Sequence, residues 1–174
     1  MDAPLVVVIT GPPAAGKTTI ARELAARLRL PLIAKDTIKE ALFDELGASD
    51  LAWSQRLGEA TFGVMLALAE ESIDAGASLV LEANFARGRE SGLASLPARF
   101  VQVHCTAPPE VLLERYASRR RHPGHVDRER IEALREAVDS GRYDPLDLPG
   151  AMIQIDTRSA FDLAALAERI ASAR

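Results

Sequence analysis

The sequence predicts an α/β fold with five strands, all or nearly all parallel, and helices covering both faces of the sheet. Two observations carry this. Short apolar runs alternate with longer amphipathic segments along the whole chain. The runs are continuously apolar rather than alternating, as expected of strands buried on both faces. A chain of 174 residues with 48% hydrophobic and 26% charged residues suffices for one domain, so residues 1–174 are read as one unit.

The elements follow in order. Leu5-Val6-Val7-Val8-Ile9 is a β-branched run and the first strand. Residues 17–29 have helical spacing, with Ile20, Leu24 and Leu28 on one stripe. Pro31-Leu32-Ile33-Ala34 is the second strand. Asp36 opens a helix to Leu46, stopped by Gly47. Ser49-Asp50 opens a long helix reaching Ala75, closed by Gly76. The third strand is residues 78–82 and the fourth 100–105. Pro108-Pro109 starts another helix, residues 127–140 form the next, and the fifth strand is 151–156. Ser159 is the expected cap of the last helix. Residues 85–97 and 122–126 read as loops.

Composition excludes several classes. The formal net charge of −4 argues against general coating of nucleic acid, where a basic balance is expected. Cys105 is the only cysteine, so neither an internal disulfide nor a cysteine zinc site is available. No stretch is long enough to cross a bilayer, and the N-terminus has no basic lead. A cytoplasmic protein with no membrane partner is expected.

Gly11-Pro12-Pro13-Ala14-Ala15-Gly16-Lys17-Thr18 matches G-x-x-x-x-G-K-[ST] at every fixed position. It lies directly after a buried strand and directly before a helix. In this loop, backbone N–H groups and the positive end of the helix dipole face phosphate oxygens. Residues 11–18 with Thr19 are therefore candidates to hold ATP, with Lys17 on the β- and γ-phosphates and the Thr18 hydroxyl on Mg²⁺.

Ligands of open α/β sheets bind beyond the carboxyl ends of the strands. Asp36 follows the second strand there, and Glu82 and Asn84 close the third. Asp36 is the candidate catalytic base, able to orient an acceptor hydroxyl and take its proton, and also a candidate helix cap. Lys35 and Lys39 flank it as candidate contacts for phosphate or an anionic substrate. Glu82 is a candidate for the substrate or for Mg²⁺ through water, since burying a carboxylate is costly. Asp156, Thr157 and Arg158 follow the last strand and are candidates to border the adenine. Trp53, Phe62, Met65 and Leu66 read first as core and second as a pocket lining.

Six arginines fall within sixteen residues, Arg115, Arg119, Arg120, Arg121, Arg128 and Arg130, joined by His122 and His125. This suits a lid over residues 115–130 that brings guanidinium groups to a transferring phosphate. Arg115 is a candidate nucleotide contact, and Arg119 and Arg120 are candidate catalytic residues. A solvated basic face is the alternative, and the two histidines do not read as metal ligands.

With the phosphate loop, Lys35-Asp36-Thr37-Ile38-Lys39, Leu81-Glu82-Ala83-Asn84-Phe85 and the arginine cluster in hand, the chain resembles the bacterial P-loop kinases. That group includes chloramphenicol phosphotransferase, zeta toxins and AAA-type polynucleotide kinase domains. The resemblance implies a P-loop NTPase three-layer α/β/α sandwich with strand order 2-3-1-4-5 and a closing lid. It also implies a base at Asp36 and an adenine loop at Asp156 and Thr157. Glu82 departs from the commoner Asp. The implied reaction is transfer of the γ-phosphate of ATP, with Mg²⁺, to a hydroxyl of a small molecule such as an antibiotic. The first alternative is a kinase of polynucleotide 5′-hydroxyls, for which nucleic acid is the less favoured partner. The second is an ATPase or nucleotide-switch module.

Overall fold

The computed structural model describes residues 3–47, 50–118 and 131–173. In chain order the elements are β1 (Leu5–Thr10), α1 (Lys17–Leu28), β2 (Leu32–Ala34), α2 (Lys35–Leu46), α3 (Leu51–Asp74) and β3 (Leu79–Glu82). They continue with α4 (Ser91–Ala94), β4 (Arg99–Thr106), α5 (Pro109–Ser118), α6 (Ile131–Asp139), β5 (Ala151–Asp156) and α7 (Leu163–Ser172). The strands form one sheet in the order β2-β3-β1-β4-β5, with every neighbouring pair parallel. This is the strand order that the resemblance implies.

The apolar runs are explained by the two faces they bury. Successive side chains of a strand point to opposite faces. Val7 and Ile9 of β1 join Val101 and Val103 of β4 under Ile20 and Leu24 of α1 and Ile170 of α7. Val6 and Val8 join Leu79 and Leu81 of β3 under Met65 and Ile73 of α3. A strand serving two cores has no polar face, hence no alternation.

The ends of the helices show where local rules hold. Asp50 caps α3, accepting from Trp53 N at 2.8 Å. After α3, Gly76 takes φ 77°, and Ala77 N donates to Ser72 O at 2.9 Å. This closure needs a left-handed residue and finds a glycine. Two expected boundaries shift. Ser159 does not cap α7; Asp162 does, accepting from Ala164 N at 2.8 Å and Ala165 N at 3.1 Å. Asp36 does not open α2 either. β2 passes straight into the helix, Ala34 is the extended residue at the boundary, and Asp36 lies in the first turn. The stretch 85–97 holds the short helix α4. No helix among the described residues is long and apolar enough to cross a membrane.

One buried polar contact ties the α6–β5 connection to the sheet. Gln102 of β4 is 3% exposed; its amide donates to Leu146 O at 3.1 Å and accepts from Leu146 N at 2.7 Å. Replacing Gln102 with Leu keeps the volume and leaves both backbone groups of buried Leu146 without these bonds. The expected cost is about 2–4 kcal/mol, read as a lowered urea midpoint at unchanged slope.

Candidate active site

The carboxyl ends of the central strands converge on a cleft of about 430 Å³. Its floor is the phosphate loop. Three positive φ values occur within six residues, at Gly11 (131°), Ala14 (65°) and Gly16 (77°). They reverse the chain between β1 and α1, and Ala14 is a rare non-glycine in this region, a local strain of the kind that gathers at binding sites. Gly11 also packs against β4: a Cβ there would stand 2.0 Å from Cys105 O. Gly11, Pro12 and Ala15 are buried beneath the loop, while Pro13, Ala14, Gly16, Lys17, Thr18 and Thr19 line the cleft.

Lys17 is buried at the start of α1, and its ammonium donates to Pro12 O at 2.8 Å. One residue on, the Thr18 hydroxyl donates to Glu82 Oε2 at 3.2 Å. Glu82 ends β3 at 4% exposure, in register with Ile9 and Ala34. These two hard oxygen ligands, brought together from α1 and β3, suit a divalent cation such as Mg²⁺.

Further lining comes from the start of α2 and the segment after β3. Asp36 is half-buried and lines the cleft with Lys35, Lys39, Ala83 and Asn84. Lys35 Nζ lies 3.5 Å from Asn84 Oδ1 and 5.0 Å from the Phe62 ring centre. Lys39 is 8% exposed and donates to Ser54 Oγ of α3 at 2.9 Å. The first-turn position of Asp36 sets its carboxylate near the positive end of the α2 dipole.

Arg115 of α5 closes a third side. Its guanidinium donates to Thr157 Oγ1 at 3.0 Å and Thr157 O at 3.1 Å. Thr157 donates in turn to Thr106 O, from N at 2.9 Å and from Oγ1 at 3.2 Å, and stands beside Gly16. Thr157 therefore holds Arg115 at the edge of the phosphate loop and does not itself line the cleft. Asp156 is also outside it: its side chain is partly exposed and paired with Arg158, whose hydrogen bonds lower its pKa to about 2. Arg119 and Arg120, with Arg121, His122, His125, Arg128 and Arg130, lie outside the described residues.

The cleft also includes residues that sequence reasoning missed, namely Tyr116 of α5, Leu134 and Ala137 of α6, and Arg142 and Tyr143 after it. Both tyrosines of the chain are among them, and no sequence signal marked them for the cleft. Trp53, Phe62, Met65 and Leu66 do not line it. Met65 is fully buried, with Phe62 and Leu66 packed on the same core. The Trp53 indole donates to Gly47 O at 3.2 Å.

Two buried side chains of β4 sit behind the site. Burial pushes the Cys105 thiol up to about 12, with Glu82 adding to the rise and Lys17 opposing it. Thiolate, the reactive form, is thus negligible at neutral pH. A disulfide reagent should label Cys105 only as fast as the protein unfolds, and burst labelling of the folded protein would refute this. Burial also holds the His104 imidazole below its ordinary pKa, with Lys17 in the same direction and Asp144 against it.

Comparison with known proteins agrees with this geometry. A cytidylate kinase of Pyrobaculum neutrophilum is 32% identical over 162 residues, covering 91% of this chain and 82% of that enzyme. The cytidylate kinase of Ignicoccus hospitalis is 31% identical over 120 residues, covering 66% of this chain and 64% of its own length. A crystal structure of a candidate kinase from Chloroflexus aurantiacus J-10-fl superimposes with TM-score 0.89 at 36% identity, covering 99% of this chain and 100% of that one.

The fold and the site together define a P-loop protein of the kinase class. The chain belongs to the AAA domain family AAA_33, whose profile matches residues 6–140. The curated relatives are cytidylate kinases rather than chloramphenicol phosphotransferases, so the resemblance drawn from the sequence holds at the level of P-loop kinases.

Proposed function

We propose that this protein is a kinase using ATP and Mg²⁺ to phosphorylate a hydroxyl of a small molecule. The observation that carries the reading is that Asp36 lines the same cleft as the phosphate loop and the Thr18–Glu82 pair. Phosphoryl transfer to an alcohol needs a carboxylate that orients the hydroxyl and takes its proton. A cleft of about 430 Å³ favours a small acceptor over a polynucleotide end.

In this reading the loop amides and Lys17 hold the phosphates, and Thr18 with Glu82 supports the metal. Bound Mg-ATP supplies the phosphoryl group. Lys17, already folded onto Pro12 O, turns its ammonium to phosphate oxygens. Asp36 accepts the acceptor's proton. Arg115, held by Thr157, lies beside the phosphate loop at the nucleotide end. Arg119 and Arg120 belong to the proposal as lid arginines on sequence grounds alone. One domain and a cytoplasmic setting belong to it as well.

A second reading is phosphorylation of a nucleoside monophosphate, favoured by the cytidylate kinase relatives. Its acceptor oxygen is already ionised and needs no base. The test is ADP release with Mg²⁺ against sugars, hydroxy acids, hydroxylated antibiotics, nucleosides, nucleoside monophosphates and 5′-hydroxyl oligonucleotides. Release that depends on an alcohol acceptor is the expected result. Release driven only by nucleoside monophosphates favours the second reading, and release indifferent to every acceptor overturns both.

A further inference from the structure

Thr157 joins elements that reach the phosphate loop from separate parts of the chain, without lining the cleft itself. It directly follows β5. Its N–H and its hydroxyl both donate to Thr106 O, at 2.9 Å and 3.2 Å, which moors the residue to the carboxyl end of β4. The same hydroxyl accepts from Arg115 Nη1 of α5 at 3.0 Å, and Thr157 O accepts from Arg115 Nη2 at 3.1 Å. The Thr157 Cβ and methyl lie 4.0 Å from the point where a Cβ on Gly16 would stand. One hydroxyl thus spends its single proton on the strand end and a lone pair on the guanidinium.

The two oxygens that aim the Arg115 fork carry no formal charge. A carboxylate would fix the same fork and neutralise it, whereas a hydroxyl and a carbonyl fix it and leave its charge in place. The carboxylate of the preceding residue, Asp156, is engaged by Arg158. Arg115 lines the cleft together with Gly16, Lys17 and Thr18. The charge so preserved therefore stands beside the loop whose amides receive phosphate oxygens.

We infer that Thr157 is a positioning residue for the nucleotide: its hydroxyl relays the end of β4 to Arg115 and sets nucleotide affinity through a guanidinium that it orients without neutralising. This rests on the kinase reading for the ligand of the phosphate loop. It assigns control of that affinity to a residue outside both the loop motif and the cleft.

The test is calorimetric titration of Mg-ADP into the full chain and its variants. Thr157→Val keeps the shape and removes the hydroxyl, and is expected to weaken binding about ten-fold, as loss of one hydrogen bond to a charged group implies. Thr157→Ser keeps the hydroxyl and should restore the parent affinity. Thr157→Asp holds the fork but neutralises it, and should also weaken binding. Arg115→Gln reports the full contribution of the guanidinium. Combined with it, Thr157→Val should cause no further loss, because the two side chains act as one unit. The serine and aspartate variants retain a hydrogen-bonding group and give an answer even where the valine variant folds poorly. Parent affinity in Thr157→Val, failure of Thr157→Ser to restore it, parent or tighter binding in Thr157→Asp, or additive losses in the double variant each overturn the inference. A parent protein that binds no Mg-ADP overturns the kinase reading, and the inference with it.

Discussion

Replacing Asp36 with Asn is expected to lower acceptor-dependent ADP release by about 10²–10⁴-fold, the range a positioned general base contributes. The substitution keeps size, removes the negative charge and replaces a basic oxygen with an amide nitrogen that donates. Asp36 lies in the first turn of α2 rather than at its cap, so the helix keeps its boundary at Ala34. Loss of a first-turn carboxylate costs only about 0.3–1 kcal/mol of helix-dipole stabilisation. The KM for ATP should stay within about two-fold, because the phosphate loop is a separate element; a change confined to kcat marks an interaction made in the transition state. Turnover of the variant at the parent rate would remove Asp36 as the base and move the reaction toward a nucleoside monophosphate acceptor or simple ATP hydrolysis.

Gly11→Ala is expected to be the most damaging substitution for stability. The residue takes φ 131°, which L side chains rarely adopt, and its new Cβ would stand 2.0 Å from Cys105 O. That atom is backbone of β4, in the middle of the sheet, and cannot rotate away. Relief requires the loop or the strand to move, at a cost of about 3 kcal/mol or more. For a chain of this length that lowers Tm by roughly 6–12 °C. Nucleotide affinity should fall with it, because the loop reverses direction at this residue. A variant with parent Tm and parent ADP affinity would show that the loop accommodates a side chain where the geometry allows none.

The fold was legible because burial on two faces writes continuous apolar runs such as residues 5–9 into the sequence. Glycine and aspartate at the ends of α3 were legible for the same local reason. The start of α2 was not, since β2 hands its chain to the helix with no loop, and Asp36 has the residue type of a cap without its position. Ser159 and Asp162 are equally good caps by type, and residue type alone does not choose between them. The phosphate loop is contiguous, so its motif could be read whole. Asp36, Glu82 and Asn84 could be placed by topology, because strand ends of a parallel sheet converge. Arg142 and Tyr143 follow a helix, not a strand, and no spacing rule carries them to the cleft. The adenine role expected of Asp156 rested on its place after the last strand and on the resemblance, and neither could show that its carboxylate pairs with Arg158.

The distribution of aromatic residues gives the protein a built-in optical reporter. Both tyrosines, Tyr116 on α5 and Tyr143 after α6, line the cleft, while the lone tryptophan stands outside it against Gly47. Ultraviolet difference absorbance in the tyrosine band therefore reads events inside the cleft, and tryptophan emission reads the α2–α3 junction. Two wavelengths on unlabelled protein separate occupancy of the cleft from rearrangement of the α2–α3 junction beside it.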